Sequence, residues 1–277
     1  SQQDIDELEK DIHSSQDFSK IQGRFNTRLS LSSANADEVI KKRLLEKNDT
    51  GKDAVQLLYT SEVKASLRNK INFSDGTISL KKYDTLKDFS EFYPMIPYQL
   101  ELLQQVFTKI RENSSAGKHF ASGERNLLGA VQYAALEYAE KDLGILIPFQ
   151  TFYGHLDQGL DHSVRATIIK AQSTPTLQSF DVDVLKVLYL IRYLKSVPST
   201  VENITTLMLD ELDADRLKLT ENITAALDRL TKEYLVQRTG LEYLFLTNEE
   251  QDINREINHM DIPTSKMQSY IGEMIYD

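Results

Sequence analysis

The spacing of apolar residues is the feature that most limits the folds open to this 277-residue chain. Ile96, Leu100, Leu103, Phe107 and Ile110 lie alternately four and three positions apart, which places them on one face of a helix. Similar stripes recur through most of the sequence, whereas the alternation typical of strands is confined to short stretches. The sequence therefore predicts a mainly α-helical protein.

Composition limits the environment and the chemistry of the chain. With 42 acidic and 32 basic residues the net charge is −10, which argues against a surface that broadly attracts nucleic acid or anionic lipid. There is no cysteine, so disulfides, thiolate metal sites and cysteine nucleophiles are excluded. No apolar run approaches the roughly 20 residues of a membrane span, and no signal-peptide region is present near the start. We expect a cytoplasmic protein without a membrane partner.

The helical part of the chain is predicted to run over residues 35–175. Asn35 with Glu38 has the form of a capping box that opens a helix. Residues 71–90 show little periodicity and predict turn and loop, while Ser122 is placed to cap a long helix over residues 124–141. These features predict a helical bundle.

Residues 176–248 have a different pattern. Three predicted helices are followed by two alternating stretches, 235–238 and 243–246, on either side of a Thr239-Gly240 turn, which predicts a hairpin. The predicted capping residues of the three helices are Asp181, Ser199 and Thr220. Three helices and a hairpin in this order predict a winged helix-turn-helix. Thr247 with Glu250 then caps a helix in a C-terminal extension, residues 249–277.

No complete catalytic constellation is found. Gly117-Lys118 is followed by His119 and lacks the upstream glycine of a phosphate-binding loop. Residues 207–211, LMLDE, imitate a magnesium-holding strand of ATPases, but we interpret them as the end of the second helix of the winged unit. His155 and His162 would share a helix face, without a third metal ligand, so a solvated helix explains them better. We predict no catalytic residue and no metal site in this chain.

Three arginines are candidates for sensing a nucleotide. Arg24 and Arg28 flank a short predicted strand, and Arg125 lies in the first turn of a capped helix. A helix amino terminus with a nearby guanidinium suits a phosphate, because free N–H groups, the helix dipole and a bidentate donor converge there. Each arginine taken alone is also compatible with a plain surface charge.

The winged unit carries the candidates for DNA contact, namely Arg229, Lys232 and Arg238. Arg229 and Lys232 lie on the third helix, which is the one expected to enter a major groove. However, residues 178–247 contain 8 basic and 11 acidic residues, a net charge of −3, which is poor for neutralising phosphates. The unit is therefore predicted to contact either DNA or protein.

Several longer strings give the sequence a family resemblance. They are QGRFNTRLSLSS (22–33) with DEVI (37–40), YPMIPY (93–98), GKH (117–119) with SGER (122–125), TLMLDELDAD (206–215) and FLTNEEQD (245–252). Together they resemble the large P-loop ATPase of bacteriophage exclusion (BREX) systems, in the stretch after its nucleotide-binding core, over nearly the whole chain. A more remote similarity is to AAA+ ATPases of the origin-recognition type, in which a helical lid and a winged helix follow the core.

The resemblance implies that residues 1–34 are the remnant of an ATPase core and that residues 35–175 are lid-like. Arg24 or Arg28 would lie near the position of an arginine finger, and Arg125 would match a sensor-2 arginine, residues that stabilise charge on the γ-phosphate. ATP and magnesium would be bound by the parent protein and not by this chain. The chain lacks an initiator methionine and ends on apolar residues, and we expect both ends to be cuts in a longer protein.

The hypothesis is a lid and winged-helix portion of a cytoplasmic AAA+-type ATPase in phage defence, itself inactive. It would couple nucleotide state to DNA or to other phage-defence proteins, within a homo-oligomeric parent. The alternatives are a non-catalytic winged-helix DNA-binding regulator and a helical interaction scaffold. A phosphate loop encoded upstream of Ser1 would separate the first hypothesis from the others.

Overall fold

The computed structural model describes residues 33–74, 80–113 and 123–259. Over these ranges the protein is mainly helical, with a small antiparallel sheet of two strands. The helices before residue 175 are α1 (Ser33–Val39, continued by a π-helical turn Ile40–Leu44), α2 (Asp49–Leu58), α3 (Ser61–Lys70), α4 (Leu86–Phe92), α5 (Tyr98–Asn113), α6 (Gly123–Glu137), α7 (Tyr153–Leu156) and α8 (His162–Ser173). A 3-10 turn, Phe149–Phe152, leads into α7, and a second, Asp157–Gly159, follows it.

The remaining elements are α9 (Ser179–Ile191), α10 (Val201–Leu207), α11 (Arg216–Lys232), β1 (Val236–Thr239), β2 (Glu242–Phe245) and α12 (Asn248–His259). The strands pair in a register that sets Val236 opposite Phe245. Gly240 in the turn has φ of 64°, a left-handed conformation that a residue without Cβ adopts freely. An isolated bridge also joins Thr200, just before α10, to Glu242. The predicted hairpin is confirmed.

The long α5 forms where the sequence predicts it. Ile96 and the stripe residues that follow it are all buried, so the face that the periodicity defines is the face that packs. α6 begins at Gly123, close to its predicted start, and ends at Glu137, four residues before the predicted end. Residues 138–140 form a turn after it.

Two predictions for the first part of the chain are wrong in detail. α1 begins at Ser33, so Asn35 lies inside the helix and does not open it. Residues 71–90 were expected to be turn and loop, yet α4 begins at Leu86. It forms because Thr85 and Asp88 make a reciprocal capping box and Phe89 is fully buried. A helix of seven residues is too short to display a period in the sequence.

The helix starts in the second part also differ from their predicted positions. Asp181 is the third residue of α9, and its Oδ2 accepts a hydrogen bond from the N–H of Gln178 at 2.9 Å. The N-cap of α9 is therefore Gln178. α10 is capped by Thr200, and α11 by Asp215, whose carboxylate accepts from two backbone N–H groups. Thr220 lies inside α11, where its hydroxyl donates to the carbonyl of Arg216. The cap of α12 is as predicted, since Thr247 and Glu250 bond reciprocally.

Buried apolar side chains form one continuous core on both sides of residue 175. The proposed boundary there stays a prediction, as do those at residues 34 and 248. No helix in the described ranges is long and apolar enough to cross a membrane.

Candidate functional site

Arg229, a predicted DNA contact, is engaged inside the protein. Its Nε donates to Oδ2 of Asp181 at 2.7 Å and its Nη2 donates to Oδ1 at 2.6 Å. The Asp181 side chain is fully buried, while that of Arg229 is 31% exposed. The hydrogen bonds from Arg229 therefore neutralise a buried carboxylate that also holds the start of α9. Both hydrogen bonds use the planar guanidinium of Arg229, which therefore has a structural role.

The other candidates for DNA contact, Lys232 and Arg238, are exposed. Lys232 lies on the surface of α11, whose exposed face also carries Glu221 and Asp228. Arg238 on β1 lies over the ring of Tyr243, 5.7 Å from its centroid, and donates to a carbonyl in the turn of the same hairpin. The exposed charges of α11 are thus mixed in sign.

Of the three arginines predicted to sense a nucleotide, the described residues include only Arg125. Arg24 and Arg28 lie outside the described residues, as does the predicted cap Ser122. Arg125 is the third residue of α6, so it does lie in the first turn of a long helix, as the sequence predicts. That Arg24, Arg28 and Arg125 come together around a phosphate stays a prediction.

His155 and His162 do not share a helix face, contrary to the sequence-based expectation. His155 is in α7 and His162 begins α8, with a 3-10 turn between them. A Cβ added to Gly129 of α6 would lie 2.5 Å from Cε1 of His155, so the imidazole packs directly on that glycine. Burial lowers the pKa of His155. Within the described ranges no group of histidine and carboxylate side chains could hold a metal ion.

Of residues 207–211, only Leu207 belongs to a helix, so the prediction that they form a helix end is wrong for the other four. α10 ends at Leu207, and the backbone then pairs with residues 144–146. The N–H of Leu146 donates to the carbonyl of Asp210 at 2.6 Å, and Ile145 forms an antiparallel bridge with Glu211. The short pairing links the segment after α6 to the segment after α10, while the side chains of Asp210 and Glu211 are exposed.

The feature that sequence reasoning missed is a buried polar junction between α10 and the segment after α3. Asn203 is fully buried, and its Oδ1 accepts from the N–H of Ser74 at 2.8 Å while its Nδ2 donates to the carbonyl of Pro198 at 2.8 Å. Thr206, also fully buried, donates to the carbonyl of Asn72 at 2.5 Å. Two side chains of one short helix therefore bond the backbone of residues 72–74.

Two cations extend this junction. Lys70 at the end of α3 donates to the carbonyl of Leu212 at 2.9 Å, and Arg216 at the start of α11 donates to the carbonyl of Lys70. Arg216 also donates to Oγ1 of Thr206 at 3.0 Å and to the carbonyl of Glu202 at 3.2 Å. Burial lowers the pKa of both side chains. We call these residues, together with Asn72, Ser74 and Asn203, the polar junction.

A sequence signal for the junction did exist. α10 reads VENITTL, and its buried positions include one asparagine and two threonines. Polar residues on the buried face of a helix require partners, which in this protein lie about 130 residues away in the chain. No protein-family model matches this sequence, and no solved structure gives a significant match.

Proposed function

We propose that this chain is the lid and winged-helix portion of a cytoplasmic AAA+-type ATPase of bacterial phage defence, in which the winged unit passes nucleotide-driven motion to a protein partner. The observation that carries the proposal is the polar junction. A relay needs the moving body and the contact unit to be joined firmly, and the junction joins them by hydrogen bonds from buried side chains to backbone groups.

The order of elements supports the winged-helix interpretation of residues 176–248. α9, α10 and α11 precede the hairpin, and the bridge between Thr200 and Glu242 brings the start of α10 beside the second strand. In a winged helix the wing is anchored next to the helices in this manner. The N–H of Tyr243 donates to the carbonyl of Ser199 at 3.0 Å and holds the same contact.

Charge favours a protein partner over DNA. Arg229 already neutralises Asp181, and the exposed charged residues of α11, which are Lys218, Glu221, Asp228 and Lys232, sum to zero. Two apolar side chains of residues 176–248 are largely open to solvent, since Leu217 on α11 is 78% exposed and Leu241 in the turn of the hairpin is 74% exposed. Protein contacts use exposed apolar side chains, whereas phosphate contacts need a positive surface.

The nucleotide would be held elsewhere in the parent protein. We propose that its core binds ATP and magnesium, that Arg125 reaches the γ-phosphate from the lid, and that Arg24 or Arg28 acts across a subunit contact of a homo-oligomer. The residue types suit the task, because a guanidinium stabilises the charge that develops during phosphoryl transfer. The support for this role of Arg125 is its position in the first turn of α6, which starts at Gly123.

The coding sequence upstream of Ser1 supplies the first test, because a phosphate-binding loop must be found there and its absence would contradict the proposal. The second test uses the full-length ATPase with Thr206→Val, which removes the hydrogen bond to Asn72. We expect hydrolysis to become insensitive to the partner. The matched control is Thr205→Val, because Thr205 bonds only within the winged unit.

DNA contact remains the second candidate, favoured by the exposure of Lys232 and Arg238. Fluorescence anisotropy with a labelled duplex tests it. We expect binding no tighter than the non-specific range of about 10⁻⁴ to 10⁻⁶ M at physiological salt, and nanomolar binding that Arg238→Ala abolishes would favour DNA as the partner.

A further inference from the structure

The polar side of α12 packs on the rest of the protein. Gln251 is fully buried, and its Nε2 donates to Oγ1 of Thr167 on α8 at 3.1 Å and to the carbonyl of Leu246 at 3.0 Å. Nζ of Lys170, also on α8, donates to Oε1 of Gln251 at 2.7 Å. Hydrogen bonds to one buried glutamine therefore hold α12 on α8.

Two further contacts hold the same helix. Nη2 of Arg192 donates to Oε1 of Glu250 at 2.5 Å, and the guanidinium of Arg255 lies over the ring of Tyr234, 5.9 Å from its centroid. Arg192 directly follows α9, and Tyr234 lies two residues after α11. In each of these contacts the side chain that α12 contributes is polar.

The apolar residues of α12 lie on its outer side. The helix reads NEEQDINREINH, so Ile253 and Ile257 are its two apolar residues. Their exposed fractions are 58% and 59%. Each residue of an α-helix turns by about 100°, so Ile253 and Gln251 lie on nearly opposite sides, whereas Ile253 and Ile257 are neighbours. A surface helix normally packs with its apolar side, so the arrangement in α12 is inverted.

An inverted helix indicates a contact beyond those that the chain makes itself. The hydrophobic effect favours the removal of isoleucine from water, while a buried glutamine is tolerated when its hydrogen bonds are satisfied. Gln251 meets that condition, yet both isoleucines are in contact with water. A single exposed isoleucine is ordinary, but a pair four positions apart is the pattern with which a helix packs on a second helix.

Charge limits the partner of this surface. Glu249 and Glu256 are exposed and lie four positions before and three positions after Ile253, so they border the same side of the helix. Neither forms an ion pair within the part of the chain that the structure describes, whereas Asp252 pairs with Arg255 at 3.2 Å. With four acidic residues and one arginine, α12 has a net charge of −3.

The acidic border distinguishes between possible partners. It disfavours an anionic lipid surface and a nucleic acid, because both carry negative charge. It also disfavours a second copy of this chain, whose α12 would bring the same acidic residues to the contact. A helix with an apolar stripe bordered by lysine or arginine complements both the isoleucines and the acidic residues.

We propose that α12 binds a basic amphipathic helix of a partner protein, with Ile253 and Ile257 packed on its apolar stripe and Glu249 and Glu256 paired with its cations. The polar side of α12 holds the helix on the chain, and the apolar side binds the partner. The surface lies outside residues 176–248, so the proposal depends neither on the ATPase assignment nor on the partner of the winged unit.

The experiment is a titration of the whole chain with a fluorescent synthetic helical peptide that has one stripe of leucines bordered by lysines. Anisotropy gives the affinity, and methyl shifts in NMR locate the contact. We expect saturable binding with shifts of the Ile253 and Ile257 methyl groups. The same peptide with glutamates in place of lysines should bind at least about tenfold more weakly, because its charges repel Glu249 and Glu256.

A variant without the isoleucines tests the apolar part of the contact. Ile253→Ser with Ile257→Ser should weaken binding at least about tenfold, because it removes apolar area from the interface. The matched control is Leu57→Ser with Leu136→Ser, which changes leucines of α2 and α6 that are 80% and 69% exposed. It should leave binding unchanged.

A second variant tests the acidic border. Glu249→Gln with Glu256→Gln should weaken binding at least about threefold and make it less sensitive to salt, because ion pairs that salt screens are lost. The matched control is Glu137→Gln with Glu140→Gln, two exposed glutamates at the end of α6 and just after it. It should bind like the parent.

Several results would overturn the proposal. They are no saturable binding, equal binding of the glutamate peptide, and equal losses in a variant and its matched control. Broadening of the Ile253 and Ile257 methyl signals by a soluble paramagnetic agent is expected in the free chain, and protection would show that the chain covers this surface itself. Circular dichroism of each variant checks the fold, and if the isoleucine variant unfolds, the glutamate peptide and the glutamine variant decide.

Two other occupants of the surface have their own signatures. Self-association in analytical ultracentrifugation that Ile253→Ser with Ile257→Ser removes would assign the surface to a second copy of the chain. Sedimentation with vesicles of anionic lipid that the same variant removes would assign it to a membrane. Either result contradicts the proposal, and we expect neither.

Discussion

The ion pair between Asp181 and Arg229 yields the most informative prediction about this protein. Replacing Arg229 by methionine would leave a fully buried carboxylate with the N–H of Gln178 as its remaining hydrogen-bond donor. Removing one partner of a buried pair costs about 3–5 kcal/mol. Because Arg229 is itself 31% exposed, water already screens its end of the pair, so we expect a loss near the lower limit, about 3 kcal/mol.

Urea unfolding measures this loss. We expect Arg229→Met to lower the midpoint without a change of slope, since the folded structure keeps its compactness. Asp181→Leu combined with Arg229→Met should lose less than the sum of the single changes, with a coupling energy of about 2 kcal/mol. Lys232→Met is the matched control, an exposed cation on the same helix, and should change the free energy of unfolding by less than about 0.5 kcal/mol.

The same variant separates a structural role from a DNA role. If Arg229 serves the fold, stability falls and duplex binding, corrected for the folded fraction, does not change. If it serves DNA, binding weakens while the midpoint stays near that of the parent. A stability loss below about 1 kcal/mol would refute the argument from the buried ion pair and would restore Arg229 as a candidate for DNA contact.

Three further predictions concern other parts of the chain. In the proposed full-length ATPase, Arg125→Ala should lower hydrolysis at least about tenfold, or roughly 1.4 kcal/mol, with unchanged thermal stability. A rate within about twofold of the parent would contradict a sensor role. Gly240→Ala should cost about 1–2 kcal/mol in thermal unfolding, because φ is 64° at that position, and an unchanged melting temperature would contradict this. Burial opposes ionisation of Glu250, but hydrogen bonds from Arg192 and Thr247 outweigh it and hold its pKa below the usual value. Its stabilisation is therefore present above the unfolded pKa of about 4.3 and lost as pH falls through the folded value. Because the side chain is 39% exposed and screened by water, Glu250→Gln should lower the free energy of unfolding at pH 7 by no more than about 1 kcal/mol, and this effect should fade as the carboxylate becomes protonated.

Elements whose stabilising contacts are local could be predicted from the sequence. α5 was predictable because every apolar residue of its periodic stripe is buried, so the period in the sequence corresponds to the face that packs on the core. The hairpin was predictable because a turn with glycine separates two stretches that alternate. The helix within residues 71–90 was not predicted, because α4 depends on a capping box and on the burial of Phe89. A helix of seven residues is too short to show a repeated apolar pattern.

Contacts between distant residues were not predictable. Asp181 was recognised as a residue at a helix start, and Arg229 as a cation of the third helix, yet nothing in either local pattern states that they meet across 48 positions. The same reason hid the polar junction, whose partners are separated by about 130 positions. Asn203 and Thr206 are buried in the structure, and only this burial shows that they require partners.

The polar junction limits how the proposed relay can work. If residues 176–248 were joined to the preceding helices only through residues 174–178, a movement of those helices would not be passed on. Instead, Asn203, Thr206 and Arg216 bind backbone groups of residues 70–74, and the apolar core is continuous across residue 175. Separation would therefore break these hydrogen bonds and expose apolar surface to water. Separation is therefore costly, and we expect residues 176–248 to follow the preceding helices as a rigid body. Under the proposed function, a partner would experience a displaced surface and not a reshaped one.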